Sequence, residues 1–234
     1  GQHAYQVAAK AQSSKITAID ISLTNLAYAK RKCDEANIKN IDFIHADILE
    51  MENFKIDFDC IESVGVLHHM EDPHLGFSIL SEKLKKGGVM KIGLYSKKAK
   101  SKLSIVNKYI VENKFTKDLH QLHKLRKFIK DSEIEEYKYV ANTIRDFYST
   151  SEFIDLLLHE KEHFLTIKEI EKWIAGKFKF LGFSFGEKNN MIKPQYRNKF
   201  PDDEEMTNLS NWDKFESEEI DLFKSMYLFY LLKE

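Results

Sequence analysis

Two adjacent histidines, His68 and His69, follow a short apolar run in this chain. The run covers residues 58–64 and reads FDCIESV, as expected of a strand that is buried on both faces. A buried strand can carry polar groups only where it emerges, and open α/β sheets bind ligands at the carboxyl ends of their strands. Glu62, Ser63 and the two histidines are therefore predicted to lie at a functional edge. An imidazole titrates near neutral pH and suits a general base.

A second candidate group is the carboxylate of Asp20, which ends the apolar segment KITAID at residues 15–20. An acid at the end of such a strand can accept hydrogen bonds from both hydroxyls of a ribose. Alternatively, Asp20 only caps the following helix, although Ser22 could do so equally well. The other motifs in the chain favour the ribose role.

Composition limits the class of protein. The 234 residues are 43% hydrophobic with a formal net charge of −1, which allows one good core and gives no basic surplus that would indicate nucleic acid binding. No apolar run approaches the ~20 residues that span a bilayer. Cys33 and Cys60 make no disulfide framework, which favours a reducing, cytoplasmic setting.

The order of the elements predicts the fold class. Strands at 15–20, 41–45, 58–64 and 89–95 alternate with helices at 4–11, 23–36 and 73–85, which favours a mostly parallel sheet with helices on both faces. Residues 97–175 then read as charged amphipathic helices without a strand. Two further strands follow at 178–185 and 226–232, although the last segment also fits a short buried helix.

The segments FDCIESVGVLHHMEDP and LKKGGVMKIGLYS resemble motifs of class I S-adenosylmethionine (SAM)-dependent methyltransferases. The resemblance implies a Rossmann-like three-layer sandwich with strand order 3-2-1-4-5-7-6. In that family a glycine-rich loop joins the first strand and first helix, and Gly1 matches its last glycine. The resemblance therefore implies that the first strand and most of this loop are missing from an N-terminally truncated chain, whose loss of loop contacts would weaken SAM binding and could leave the chain inactive alone.

The resemblance also implies roles for residues at the strand ends. Asp20 and Ile21 would lie at the ribose, and Asp47 with Ile48 would hold the adenine. The backbone of Ser63 and Val64 would meet the methionine portion of SAM, beside Gly1 from the glycine loop.

The later part of the chain resembles a more specific group. The segments DFYSTS, LLLHEKEHFLTI, FLGFSF and FPDD are similar to the methyltransferase portion of bacterial proteins that join tetratricopeptide repeats to a methyltransferase. This similarity implies a SAM-binding core of residues 1–96 and 177–234. Residues 97–176 would form a helical insertion that serves as a substrate lid, and a repeat region would lie upstream in the full-length protein.

Four residues are candidates for the catalytic side: His68, Tyr95 at the end of the next strand, and Tyr148 and His163 in the insertion. Methyl transfer needs alignment and, for a protonated nucleophile, a base. His68 could instead simply pack against the sheet in the turn before the helix.

Two other motifs are set aside. His159 to His163 fits the H-E-x-x-H pattern of zinc sites, but no third ligand accompanies it, so no metal is predicted. Tyr28 and Lys32 fit the Tyr-x-x-x-Lys of short-chain dehydrogenases, but they lie far from where that chemistry is built.

The predicted function is SAM-dependent methyl transfer to an unidentified small molecule or protein, with no nucleic acid or membrane partner. The alternative is a catalytically inactive methyltransferase-like module that serves as an interaction surface beside repeats. A nicotinamide enzyme is a third, more distant hypothesis, which a cofactor titration would separate from the other two.

Overall fold

In the computed structural model, strands and helices follow one another along most of the chain. The structure describes residues 1–143, 145–158, 162–219, 222–224 and 226–234. The helices are α1 (Gln2–Lys10), α2 (Leu23–Glu35), α3 (Pro73–Lys83), α4 (Lys97–Lys100), α5 (Ser104–Glu112), α6 (Leu119–Asp131), α7 (Glu135–Thr143), α8 (Thr150–Leu157), α9 (Ile167–Ile174), α10 (Asn189–Lys199) and α11 (Leu209–Glu218). The strands are β1 (Ile16–Asp20), β2 (Ile41–His45), β3 (Phe58–Val64), β4 (Leu84–Leu94), β5 (Phe178–Phe183) and β6 (Tyr227–Lys233).

The chain divides into two compact units. The first comprises Gly1–Ile61 and His74–Gly88, and the second comprises Glu62–Pro73 and Val89–Glu234. The predicted division into a core of residues 1–96 and 177–234 and an insertion of residues 97–176 follows different boundaries and stays a prediction.

In the first unit, β1 and β2 form a parallel pair whose register sets Asp20 opposite His45. Helix α2 covers the pair with Leu26, Ala29 and Cys33, which lie three and four residues apart on one face and are buried. The Asn40 side chain, just before β2, donates hydrogen bonds to the carbonyls of Ala8, Ala11 and Ser14, which joins the end of α1 to the strand pair.

The remaining strands form a sheet of order β3-β4-β6-β5. β6 is antiparallel to both β4 and β5, so the sheet is mixed at this side. Each sheet taken by itself has the strand order predicted for its part of the fold, 3-2 for β2-β1 and 4-5-7-6 for β3-β4-β6-β5. The Rossmann-like methyltransferase fold is therefore confirmed, and the alternative of a terminal helix at residues 226–232 is wrong.

Two details of the predicted strands are wrong. β3 was expected to be buried on both faces, but Asp59, Cys60 and Glu62 are exposed. Cys60 and Glu62 alternate on one face of β3, which is exposed, whereas Ile61 and Ser63 on the other face are buried. In addition, β4 begins at Leu84 and passes through Gly87, which has a left-handed φ of 77°, rather than beginning after the glycines.

The predicted helices after residue 97 are present and contain a hydrophobic cluster. Its members are Leu103, Val106, Ile110, Leu122, Leu125, Ile129, Tyr137, Val140, Ala141, Phe147, Phe153 and Leu157. The predicted capping box at α9 is confirmed, because Thr166 and Glu169 each bond the other's backbone amide. Among the described helices, none combines the length and apolarity needed to cross a bilayer.

The side chain of Glu216 on α11 lies at the centre of a buried polar network. It is fully buried and accepts hydrogen bonds from the Ser96 hydroxyl at 2.5 Å and from the Tyr227 hydroxyl at 2.7 Å. The Lys98 ammonium lies 3.6 Å from its other oxygen. Burial raises the pKa of Glu216, although these three partners favour its charged form. The network thereby joins the end of β4, the start of α4, α11 and β6.

Asp213 extends this network and gives it a pH dependence. Burial opposes ionisation of Asp213, but hydrogen bonds and charge from Lys98 and Lys168 outweigh it and lower the pKa of the carboxyl. A lowered folded pKa stabilises the fold above the unfolded pKa of about 4, and this stabilisation is lost as the pH falls through the folded pKa. We expect Asp213→Asn to cost about 1–3 kcal/mol at pH 7 and less at pH 3, as measured by urea unfolding. An equal cost at both pH values would contradict this account.

Candidate active site

Asp20 is tied into the turn that follows β1. Its Oδ1 accepts a hydrogen bond from the Ser22 amide at 2.8 Å, and its Oδ2 accepts one from the Asn25 side chain at 3.1 Å. Ser22 itself caps α2 through its hydroxyl, which accepts a bond from the Asn25 amide. Helix capping therefore belongs to Ser22, and Asp20 supports the cap. Because a carboxylate has about four acceptor sites, Asp20 retains capacity for two further hydroxyl donors.

Asp47 is held in a similar way after β2. Its Oδ1 accepts a bond from the Leu49 amide at 2.9 Å, and its own amide donates to Glu50 Oε2 at 2.7 Å. This reciprocal capping box starts a 3-10 turn at Ile48–Asn53 and fixes the carboxylate beside the strand end. Since Asp20 lies opposite His45 in the parallel pair, Asp20 and Asp47 leave the same edge of the two strands.

His45 and Asn25 also belong to this edge, although no motif in the sequence marks them. The Nε2 of His45 lies 2.9 Å from the Ile21 carbonyl oxygen, and because a carbonyl only accepts, this nitrogen carries the proton. The contact joins the segment after β1 to the end of β2. Only the strand register reveals it, so no local signal in the sequence could have found it.

Apolar side chains lie beside the two acids. Ile21 has 69% of its surface exposed, and Ile48 is half-buried. Single exposed apolar residues are common, but here each directly follows a strand-end carboxylate. The pair offers an apolar surface next to acceptors, which fits a nucleoside with a flat base and ribose hydroxyls.

Close packing favours a glycine at position 1. A Cβ at this position would collide with the carbonyl oxygen of Asn25 and would reach within 3.0 Å of the Ala29 Cβ. The absence of a side chain therefore lets the start of α1 approach α2. The predicted contact of Gly1 with SAM stays a prediction.

In the second unit, Ser63 and Val64 lie at the carboxyl end of β3. Ser63 is buried and Val64 is half-buried. The chain then turns at Gly65, whose φ is 76° and whose amide donates to the Gly93 carbonyl at 3.3 Å. A positive φ of this size favours glycine.

Gly93 sets how closely β4 and β6 pack beside this strand end. A Cβ there would lie 2.7 Å from Val64 Cγ1 and 2.9 Å from Met226 Sδ. Overpacking of this kind costs about 1–3 kcal/mol, so we expect Gly93→Ala to lower the free energy of unfolding by that amount and to displace Val64. Denaturant unfolding measures the change, and an unaltered midpoint would show that the strands separate without cost.

His68 and Tyr95 are brought together. His68 is fully buried, and its ring centroid lies 3.9 Å from that of Tyr95 and 4.2 Å from that of His69. The Lys100 ammonium lies 3.9 Å from the Tyr95 ring centroid, in cation–π geometry. The strand ends of β3 and β4 thus meet in an aromatic and cationic cluster.

A short segment at residues 163–165 runs along this cluster through its backbone. The His163 amide donates to the His68 carbonyl at 2.8 Å, and the Leu165 amide donates to the Tyr95 carbonyl at 2.9 Å. The side chain of His163 is exposed, so its contact with His68 is made by the main chain.

One predicted catalytic residue, Tyr148, has no described contact with this cluster. Tyr148 is 64% exposed, and its described ring contact is with Phe147, at 5.2 Å between centroids. His159, one end of the H-E-x-x-H pattern, lies outside the described residues. Within the described ranges, no three histidine, cysteine or acidic side chains are grouped as metal ligands would be. The catalytic assignments stay predictions.

Comparison with known proteins gives the same fold. Residues 1–88 match the family model described as a methyltransferase domain. An uncharacterized protein of Synechococcus sp. is 28% identical over 190 residues, which cover 74% of this chain and 43% of that protein. The structure of PKMT2 from Rickettsia typhi superposes with a TM-score of 0.70 at 16% identity, covering 98% of this chain and 45% of that one.

Two further structures extend the comparison. The same Rickettsia protein in complex with AdoHcy has a TM-score of 0.63 at 18% identity, again covering 98% of this chain and 45% of the other. The [4+2]-cyclase SpnF has a TM-score of 0.51 at 15% identity, covering 100% of this chain and 70% of the cyclase. The chain spans less than half the length of the Synechococcus and Rickettsia proteins. The chain therefore has the Rossmann-like fold of class I SAM-dependent methyltransferases, and its first 88 residues match a methyltransferase domain.

Proposed function

We propose that this chain is a SAM-dependent methyltransferase that acts on an unidentified acceptor, either a small molecule or a protein. One observation carries the proposal. Asp20 and Asp47 leave the same edge of a parallel strand pair, each followed by an apolar side chain. That arrangement suits the ribose hydroxyls and adenine of a nucleoside cofactor.

The cofactor is S-adenosylmethionine, and the residues present fit its parts. Asp20 would hold the ribose hydroxyls with the acceptor sites that Ser22 and Asn25 leave open. Asp47 would accept from the adenine amino group, and Ile21 and Ile48 would cover the adenosine. The contact of the Ser63 and Val64 backbone with the methionine portion stays a prediction from the sequence resemblance. When bound, the cofactor supplies an activated methyl group.

The chemistry asked of the protein is mainly alignment, with a base where the acceptor carries a proton. His68 and Tyr95 are the proposed groups on the acceptor side, because they stack on each other at the ends of β3 and β4. Tyr95 orients the imidazole of His68. The Lys100 ammonium makes a cation–π contact with the Tyr95 ring and thereby helps to fix its position.

The comparisons support the cofactor more than the reaction. A neighbour of the same fold was crystallised with AdoHcy, whereas another is a cyclase, so the fold alone does not decide the chemistry. A cytoplasmic location and an upstream tetratricopeptide-repeat region belong to the same proposal, and they rest on the free cysteines and on the sequence resemblance.

Transfer of a labelled methyl group tests the reaction. The chain is incubated with SAM labelled on the methyl carbon and with fractionated small molecules and proteins. We expect label to appear in an acceptor fraction and S-adenosylhomocysteine to accumulate. Cofactor binding without transfer to any fraction would contradict the enzyme hypothesis and favour the inactive interaction module.

A further inference from the structure

Arg126 on α6 is held by aromatic rings. Its guanidinium carbon lies 4.6 Å from the ring centroid of Phe153 and 5.9 Å from that of Phe147. Both rings are fully buried in the hydrophobic cluster of this region. Cation–π contacts of this kind orient a guanidinium without neutralising its charge.

The polar contacts of Arg126 are incomplete. One terminal nitrogen, Nη2, donates to the Ser149 carbonyl over a long 3.4 Å, and the Nε is buried without a hydrogen-bond partner. Among the side chains that the structure describes, no carboxylate forms an ion pair with it. A half-buried cation without a counter-charge is costly, and buried donors without acceptors call for an explanation.

Helix α6, which carries Arg126, has a surplus of positive charge. Helix α6 carries Lys124, Lys127 and Lys130 besides Arg126, and it contains a single acid, Asp131. The three lysines are exposed and, within the described ranges, form no ion pair. Such a helix attracts anions over several ångströms.

An exposed phenol contacts one of the two rings that contact this cation. Tyr148 packs edge-on against Phe147, the ring that also contacts the Arg126 guanidinium, and 64% of its surface is exposed. A hydroxyl donor and a guanidinium fork therefore share one buried ring at the 3-10 turn Arg145–Tyr148. Hydroxyl and guanidinium groups are both donors to oxyanions.

We propose that Arg126 and Tyr148 form an oxyanion-binding site that recognises a carboxylate or phosphate of the methyl acceptor. The terminal amino groups of Arg126 donate to the anion, because its Nε is enclosed. The assignment of the anion to the acceptor rests on the proposed function; the anion site itself does not. The proposed anion site also gives Tyr148 a role in binding the acceptor rather than in catalysis.

Nuclear magnetic resonance titration of the whole chain tests the site. The Nε–Hε resonance of Arg126, assigned by its loss in Arg126→Met, is followed during addition of inorganic phosphate, acetate or chloride at constant ionic strength. We expect a saturable shift with phosphate or acetate and none with chloride. The anion that binds more tightly shows whether the group recognised on the acceptor is a phosphate or a carboxylate. In Tyr148→Phe the affinity should fall by about tenfold.

The matched control is Lys127→Met, which removes an exposed charge from the same helix and should retain the saturable shift. If Arg126→Met does not fold, Arg126→Lys keeps the charge without the fork and should bind the anion about tenfold more weakly, as judged by the Tyr148 ring resonances. A shift that is linear, equal for chloride or lost equally in Lys127→Met would overturn the site. Anion binding by a chain that fails to bind S-adenosylhomocysteine would remove the acceptor assignment and leave the anion site.

Discussion

Replacing Asp20 by alanine is expected to weaken binding of S-adenosylhomocysteine by about 30- to 1,000-fold, which corresponds to about 2–4 kcal/mol. The loss is large because the carboxylate is proposed to accept two hydroxyl hydrogen bonds, and bonds to a charged group contribute about 1.5–3 kcal/mol each. Asp20→Asn should lie between the wild type and the alanine variant. Isothermal titration calorimetry measures all three.

Asp42→Ala is the matched control for this experiment. Asp42 lies in β2, is exposed and pairs with Lys15 at the surface, where an ion pair contributes little. We expect its affinity to equal that of the wild type. Because Asp20 also bonds Ser22 and Asn25, thermal unfolding of each variant must show a folded protein. Equal affinities for Asp20→Ala and Asp42→Ala would contradict the ribose role.

The second large effect is expected at Glu216, on stability rather than binding. Glu216→Ala should lower the free energy of unfolding by about 3–5 kcal/mol, because it removes one partner of a buried charged network. The hydroxyls of Ser96 and Tyr227 would lose their acceptor, and Lys98 would lose one of its carboxylates. Urea unfolding at several pH values measures the loss.

The pH dependence of this loss has a definite sign. Burial raises the folded pKa of Glu216 above its unfolded value, so the group contributes stability that is fully present below the unfolded pKa and is lost as the pH rises through the folded pKa. The difference between wild type and Glu216→Ala should therefore grow as the pH falls from 7 towards about 4.5. The exposed Glu219→Ala serves as the control and should change stability by less than about 0.5 kcal/mol. A loss below 1 kcal/mol at Glu216 would mean that the network is replaceable.

Strand ends were predictable because hydrophobic patterns are local. The segments that end at Asp20 and His45 are short runs rich in apolar residues with a polar residue at the end, and β2 and β3 have the predicted bounds. The capping box at Thr166 depends on two residues three positions apart, so it too was visible in the sequence.

Features that depend on distant pairing were not predictable. Whether a face of β3 is covered depends on which elements pack against the sheet, so the exposure of Cys60 could not be predicted. The bond between Ser96 and Glu216 joins residues 120 positions apart, and the contact of His45 with Ile21 requires the strand register. Arg126 appears in sequence as one more basic residue of a charged helix, and only its aromatic surroundings set it apart.

The most direct test of the central claim is a calorimetric titration of S-adenosylhomocysteine into the whole folded chain, with NADH titrated in parallel. Our account predicts saturable binding of S-adenosylhomocysteine with a stoichiometry of one and no heat from NADH. Absence of binding by a folded chain, or preferential binding of NADH, would contradict the claim that the edge formed by Asp20 and Asp47 is a SAM site.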